Sequence, residues 1–357
     1  MTYQHAMVVG KFYPPHAGHH HLIRTAAAAG AEVTVVVAPS RRESIPLEVR
    51  LGWLREEHAD TPWVRFVGRY DDMRVDYDDP AVWDAHCAVF REAVGPRPVD
   101  VVFSSEKYGD ELARRFGAVH VEVDTPRLAH PVSGSAVRAD PVAHWAHLAA
   151  PVRAWFTRRV VVLGAESTGT TTMASALAGH YAARGGVWAA TRWVPEYGRE
   201  LTERKLAALR AADPAATVFD VSWDDADFAE VAREQSAAED AAARDGSPLL
   251  VCDTDALATQ VWQERYLGSS SPEVRALARR PDLYLLTSDV GVPFDDDGLR
   301  DGEHLRGWMT GRFREVLAGS PVPVVELHGS HQVRLRTAVA ACERLLSAGW
   351  ALAPPLG

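Results

Sequence analysis

The chain has 357 residues, 47% of them hydrophobic and 24% charged, and a formal net charge of −10. At about 100–200 residues per domain this length suggests two domains, each able to bury a core of its own. The composition excludes a disordered, collagen-like or coiled-coil protein, and the acidic balance argues against a binder of nucleic-acid backbones, which needs a basic face. No apolar run reaches the roughly 18 residues of a membrane span, and the first residues lack the basic-then-apolar order of an export signal. Cys87, Cys252 and Cys342 are odd in number and never form a C-x-x-C pair, so neither a disulfide framework nor a zinc site is expected. A cytoplasmic location fits these features. Of 38 basic residues only Lys11, Lys107 and Lys205 are lysines, so a lysine at a site is informative.

In chain order, residues 6–10 form a short apolar run closed by glycine, read as a buried strand feeding a loop. A helix over 20–29 carries Leu22, Ile23, Ala26 and Ala27 at helical spacing, and a valine-rich strand over 32–38 completes a βαβ unit. Helices over 47–58 and 81–94 alternate with strands over 64–67 and 99–103, followed by one more helix and strand. The expectation is an open parallel sheet. A helical stretch over 141–156 leads to a new strand over 159–163 and a second glycine turn, where the pattern restarts. Strands over 193–194, 249–252, 283–287 and 322–327, with helices between them that include 170–184, 225–244 and 333–346, predict a second α/β domain. The expected division is 1–156 and 157–350.

The first glycine turn reads Gly10-Lys11-Phe12-Tyr13-Pro14-Pro15-His16-Ala17-Gly18-His19. A helix N-terminus offers free N–H groups and positive dipole, which suit phosphate, and Gly18 permits close approach. Two imidazoles and one ammonium donate hydrogen bonds to phosphate oxygens as charge develops on them. A bare H-x-G-H is equally a helix cap with surface histidines; the strand before it, the helix after it and the Gly-x-Phe-x-Pro ahead favour the phosphate site. Every fixed position matches the signature of the nucleotidyltransferase family of adenylyl-transferring enzymes, which the segment resembles. Ser133-Gly134-Ser135-Ala136-Val137-Arg138 is similar to that family's late S-x-[ST]-x-x-R motif, whose hydroxyls, N–H groups and guanidinium clamp the β- and γ-phosphates of ATP. In such a site a substrate phosphate oxygen is the nucleophile, and catalysis rests on alignment and charge stabilisation. Lys11, His16, His19 and Arg138 are assigned that work, with Gly10, Phe12, Gly18, Ser133 and Ser135 as binding residues. Arg50 either reaches the triphosphate or is solvated, and Ser104-Ser105-Glu106 at a strand end is an expected adenosine contact.

The second turn, Gly164-Ala165-Glu166-Ser167-Thr168-Gly169-Thr170-Thr171, has P-loop spacing between a strand and a helix, with Thr170 where lysine is expected. Backbone N–H groups of Gly164, Ser167, Thr168, Gly169, Thr170, Thr171 and Thr172 would cradle the triphosphate of ATP, and Thr171 with Asp253 would hold Mg²⁺. Glu196 and Asp253 at strand ends could accept a hydroxyl proton or order the metal's waters; each is equally a helix cap. The polar 294–302 stretch, with Arg300, suits a phosphate-covering lid and equally a solvated loop. Arg300 or Arg199 could replace the missing lysine charge.

Together the motifs resemble the bacterial bifunctional nicotinamide-mononucleotide adenylyltransferase and ribosylnicotinamide kinase family over nearly the whole chain. That resemblance adds Glu196-Tyr-Gly-Arg-Glu200, Asp253-Thr-Asp255 and Asp296-Asp-Gly-Leu-Arg300. It implies a Rossmann-like nucleotidyltransferase joined to a P-loop kinase. It also implies ATP, nicotinamide mononucleotide and nicotinamide riboside as partners, with no nucleic acid and no membrane; a homo-oligomer is compatible with all of this. Two alternatives stand beside it: an adenylyl- or cytidylyltransferase for another phosphorylated small molecule, and a regulator whose P-loop half binds ATP without turnover.

Overall fold

Successive side chains on a strand point to opposite faces, and in β1 (Tyr3–Gly10) both faces are apolar. Ala6 and Val8 enter one core with Leu22, Ile23 and Val35, while Met7 and Val9 enter another with Val36, Phe90 and Val102. A strand buried on both sides belongs inside a parallel sheet covered by helices. The strands that follow, β2 (Gly30–Val37), β3 (Val64–Gly68), β4 (Val101–Ser104) and β5 (Val119–Glu122), complete a five-stranded sheet ordered β3-β2-β1-β4-β5, every pair parallel. The structure, a computed structural model, describes residues 3–356.

The same logic repeats in β6 (Arg158–Gly164), where Val160 and Val162 face one core and Val161 and Leu163 the other. With β7 (Trp193–Val194), β8 (Leu249–Asp253), β9 (Leu283–Thr287) and β10 (Val324–Leu327) it forms a second parallel sheet ordered β10-β9-β6-β8-β7. The fold is therefore α/β with two five-stranded parallel sheets. In each, the chain order reverses beside the first strand of the unit, which places a ligand crevice at that strand's carboxyl end. Both glycine turns sit there. Among the described residues no helix is long and apolar enough to cross a membrane.

The chain separates into two compact units, one running through Arg153 and joined by the segment from Trp350, the other from Ala154 to Gly349. The return of the last segment to the first unit is not an expectation of the sequence, which assigns everything from 157 to 350 to one domain. The helix expected over 141–156 is also corrected. A 3₁₀ turn, Trp145–His147, and a separate helix, Ala150–Phe156, replace it. Pro151 is the reason: it is tolerated in a helix's first turn, but in an interior it removes a hydrogen bond and clashes with the preceding turn.

Arg50 is neither solvated nor aimed at a ligand. Its side chain is completely buried on the helix Leu47–Glu57. It donates to Ile45 O at 3.0 and 2.7 Å, to Lys11 O at 2.7 Å and to Glu43 Oε2 at 2.6 Å. Those bonds tie the first glycine turn to the segment that precedes the helix. Removing one partner of a buried ion pair strands the other, and Glu43 would keep only Lys11, at 3.6 Å. Arg50→Ala should therefore destabilise the first unit by about 3–5 kcal/mol, whereas replacing Arg50 and Glu43 together with apolar residues should cost less; urea denaturation of the variants measures both.

Candidate active sites

The first turn is shaped by contact between Gly10 and Phe12. Phe12 takes a left-handed backbone, φ 48°, and its ring folds back so that a Cβ on residue 10 would lie 3.1 Å from it. A side chain there would push the ring aside by a few tenths of an ångström. The Phe12 ring lies 4.9 Å from the ring of His19, which lies 3.8 Å from that of His16. His16 precedes the helix Ala17–Ala29, whose first turn contains Gly18 and His19. Across the cavity, Ser133 caps the helix Gly134–Ala139 by accepting from Ala136 N at 3.1 Å, and Arg138 donates to Tyr13 O at 2.6 Å and Ser135 Oγ at 3.0 Å.

A cavity of about 620 Å³ brings together Gly10, Lys11, Phe12, His19, Ser133, Ser135 and Arg138, with Ser105 and Glu106 at its β4 side. His16 and Gly18 lie behind this wall. Ser104 spends its hydroxyl on Glu106 O and His120, so of the expected adenosine contacts only Ser105 and Glu106 reach the cavity. The chemistry of the wall is set by burial. It lowers the His16 pKa to about 3 and that of His19 well below the ordinary value, with neighbouring cations adding repulsion. Both rings are neutral at pH 7 and each carries one N–H. The Nδ1 atoms of both are buried without a hydrogen-bond partner. The Lys11 ammonium meets the carbonyl of Leu356 at 2.6 Å, and Tyr13 Oη donates to Ala353 O at 2.8 Å. Pro355 and Leu356 thus close part of the rim.

In the second unit the turn after β6 enters left-handed backbone at Ser167, φ 58°, and Gly169, φ 85°, before the helix Thr170–Ala182. Gly164, Ser167, Thr170 and Thr171 line a narrow cavity of about 120 Å³ together with Glu196, Asp253, Arg199 and Arg300. Thr168 is buried, donating to Ala165 O at 2.7 Å and meeting Thr287 Oγ1 at 2.7 Å; Gly169 and Thr172 are exposed and do not line the cavity. Arg300 Nη1 stands 3.3 Å from Ser167 Oγ, and Arg199 pairs with Asp297 at 2.8 Å. Asp255 is structural: it caps the helix Ala256–Leu267 and accepts from Tyr284 Oη at 2.9 Å.

Glu196 and Asp253 carry the electrostatic cost of the site. Burial pushes Glu196 up to about 8, and the carboxylates of Asp253 and Glu166 repel it further. Burial raises Asp253 to about 6, opposed by the facing hydroxyls of Thr171 and Thr170, yet neither carboxylate oxygen makes a well-formed hydrogen bond. Among the described residues no group of three or more His, Cys, Asp or Glu could hold a metal alone. Mg²⁺ takes one or two protein oxygens and completes its shell with water and phosphate. An orphaned carboxylate facing the Thr171 hydroxyl fits such an ion.

Sequence reasoning missed the aromatic walls. Trp83, Tyr77, Phe90 and Tyr108 line the first cavity, with Tyr77 stacked on Tyr108 at 6.4 Å. Trp223, Phe228 and Tyr266 line the second, their centroids 5.4–6.1 Å apart. Trp83 and Phe90 share one face of the helix Pro80–Val94 at i and i+7, but the other rings come from other helices and loops, so the walls are assembled only in space.

Residues 159–334 match the protein family described as an AAA domain. The trifunctional NAD biosynthesis/regulator protein NadR of Escherichia coli (strain K12) is 27% identical over 312 residues, covering 82% of this chain and 71% of that protein. Two solved structures share the fold at a TM-score of 0.72 and 22% identity. The NadR protein in complex with NR matches over 99% of this chain and 98% of its own. The NadR protein in complex with NAD and AMP-PNP matches over 96% of each.

The raised Glu196 pKa has a consequence for stability. A carboxyl that titrates higher in the folded than in the unfolded chain binds more protons when folded, so stability falls as pH rises from the ordinary glutamate value to about 8. Glu196→Gln should stabilise the second unit at pH 7–8 and give no gain below about pH 4, where both forms are protonated. Thermal unfolding across that pH range tests it.

Proposed function

We propose that the first unit joins nicotinamide mononucleotide to the adenylyl group of ATP, and that the second phosphorylates nicotinamide riboside with ATP. The observation that carries the reading is the convergence of two distant sequence motifs, Lys11 to His19 and Ser133 to Arg138, on one cavity with cations and N–H donors on opposite sides. The likeness to NadR, a protein of NAD biosynthesis whose structures hold NR, NAD and AMP-PNP, supports it.

In the first unit a phosphate oxygen of the mononucleotide attacks the α-phosphorus of ATP, the bond to the bridging oxygen breaks, and pyrophosphate leaves. No protein base is required, since the nucleophile is already ionised. Lys11 and Arg138 neutralise the triphosphate, His19 donates an N–H group to charge developing in the transition state with the His16 ring packed against it at 3.8 Å, and Ser133 and Ser135 hold the leaving phosphates. For its ammonium to act, Lys11 exchanges the Leu356 carbonyl for phosphate. The aromatic wall takes the flat rings.

In the second unit the riboside 5′-hydroxyl attacks the γ-phosphorus of ATP and ADP leaves, with Glu196 accepting the proton. Trp223, Phe228 and Tyr266 suit the cationic pyridine ring, which an aromatic face attracts. Mg²⁺, when bound by Asp253 and Thr171, neutralises phosphate charge. Thr170 supplies no cation; in this reading Arg300 does so, exchanging Asp295 and Asp297 for phosphate. The same threonine favours a second reading, in which this unit binds ATP without turnover.

Purified protein given ATP, Mg²⁺ and nicotinamide mononucleotide should release pyrophosphate and form NAD, and His19→Ala should lower kcat by about 10²–10³ while the fold survives. An unchanged rate would remove His19 from the site. Nicotinamide riboside should elicit ADP, with kcat/KM rising through an apparent pKa above the ordinary carboxylate range as Glu196 ionises. Glu196→Gln should abolish that activity and leave adenylyl transfer intact. ATP binding without ADP formation, cured by Thr170→Lys, would establish the second reading instead.

A further inference from the structure

Arg265, on the helix Ala256–Leu267, has a side chain only 2% exposed and stands between two carboxylates. It pairs with Glu166 of the phosphate loop at 3.0 Å and with Asp301 at the end of the 294–302 segment. Gly302 N donates to the same Glu166 carboxylate at 2.7 Å, and Tyr266 Oη donates to Asp301 at 3.1 Å. The approach is so close that a Cβ on residue 302 would lie 2.5 Å from both Glu166 Oε2 and Arg265 Nη2. A side chain at that point would displace the ends of both partners. The other end of the segment is clipped to the same loop, because Asp295 N donates to Ser167 Oγ at 2.7 Å.

Burying a guanidinium with two carboxylates costs desolvation that apolar residues of the same shape would avoid, so fold stability alone is a poor account of this cluster. Its position supplies a better one. Arg300 immediately precedes Asp301, and its guanidinium, which bonds Asp295 O and pairs with the Asp295 carboxylate at 3.2 Å, also stands 3.3 Å from Ser167 Oγ on a loop whose usual lysine is Thr170. A cation on a loose segment stabilises a transferring phosphoryl group only if something fixes the segment's end.

We propose that Arg265 is a positioning residue: by locking Asp301 and Gly302 to Glu166 it holds Arg300 over the phosphate loop as the cation that Thr170 does not supply. The proposal rests on the kinase reading above and names the device by which a lysine-free loop turns over.

Arg265→Met in the full chain should still bind ATP and keep adenylyl transfer, while kcat for riboside phosphorylation falls by about 10²-fold and KM for the riboside changes by less than about threefold. Thr170→Lys added to that variant should recover at least about tenfold of the loss, because the cation is then supplied from the loop itself. A fall in kcat that Thr170→Lys does not recover, or no fall at all, overturns the proposal. Asp301→Ala, which breaks the anchor at its more accessible end, should reproduce the kcat loss and its rescue, and decides the matter if the Met variant does not fold. Amide hydrogen exchange with a non-hydrolysable ATP analogue gives a readout independent of turnover. Residues 294–302 should be protected by the analogue in the wild type and not in Arg265→Met or Asp301→Ala; equal protection in all three overturns the anchor. If the wild type never phosphorylates the riboside, the kinase reading fails and exchange alone judges the anchor.

Discussion

A parallel sheet covered by helices on both faces leaves one crevice for a ligand, beyond the carboxyl ends of its strands where the chain order reverses, and both units are organised around it. In each, the strand beside the reversal runs into a glycine turn and then a helix, so the helix's free N–H groups face the crevice. Everything chemically active is brought to that edge by elements packed elsewhere for other reasons. The helix Gly134–Ala139 and the strand end at Ser104 converge on the first turn; the ends of β7 and β8 and the 294–302 segment converge on the second.

The molecule handles its buried charges in two ways, and the contrast separates scaffold from chemistry. Arg50 spends its guanidinium on two carbonyls and Glu43, leaving nothing for a ligand. Asp255 is likewise consumed by a helix cap and a tyrosine. Asp253 has two oxygens without well-formed bonds, and His16 and His19 each have a buried ring nitrogen without a partner. Buried polar groups are ordinarily satisfied, and at these positions, beside the two cavities, a ligand or water can complete the bonding. Burial also keeps both histidines neutral at pH 7 and raises Glu196 to about 8.

The sequence by itself determined much of this. Continuous valine runs predict parallel strands, glycine turns between strand and helix predict phosphate sites, and the spacing around Gly10 and Gly164 predicts which backbone groups face them, because these are local properties of consecutive residues. The fold class and most strand positions follow from such local rules, and Lys11, His19, Ser135, Arg138, Thr171, Glu196 and Asp253 do meet in the two cavities. Tertiary structure decided what depends on contact between residues far apart in the chain. It buried Arg50, broke the 141–156 helix at a proline and returned the segment after Gly349 to the first unit. It also assembled the aromatic walls and set Arg265 between Glu166 and Asp301. A side chain's partners, and with them its charge and its role, are fixed by packing in three dimensions, which no spacing along one strand or helix encodes.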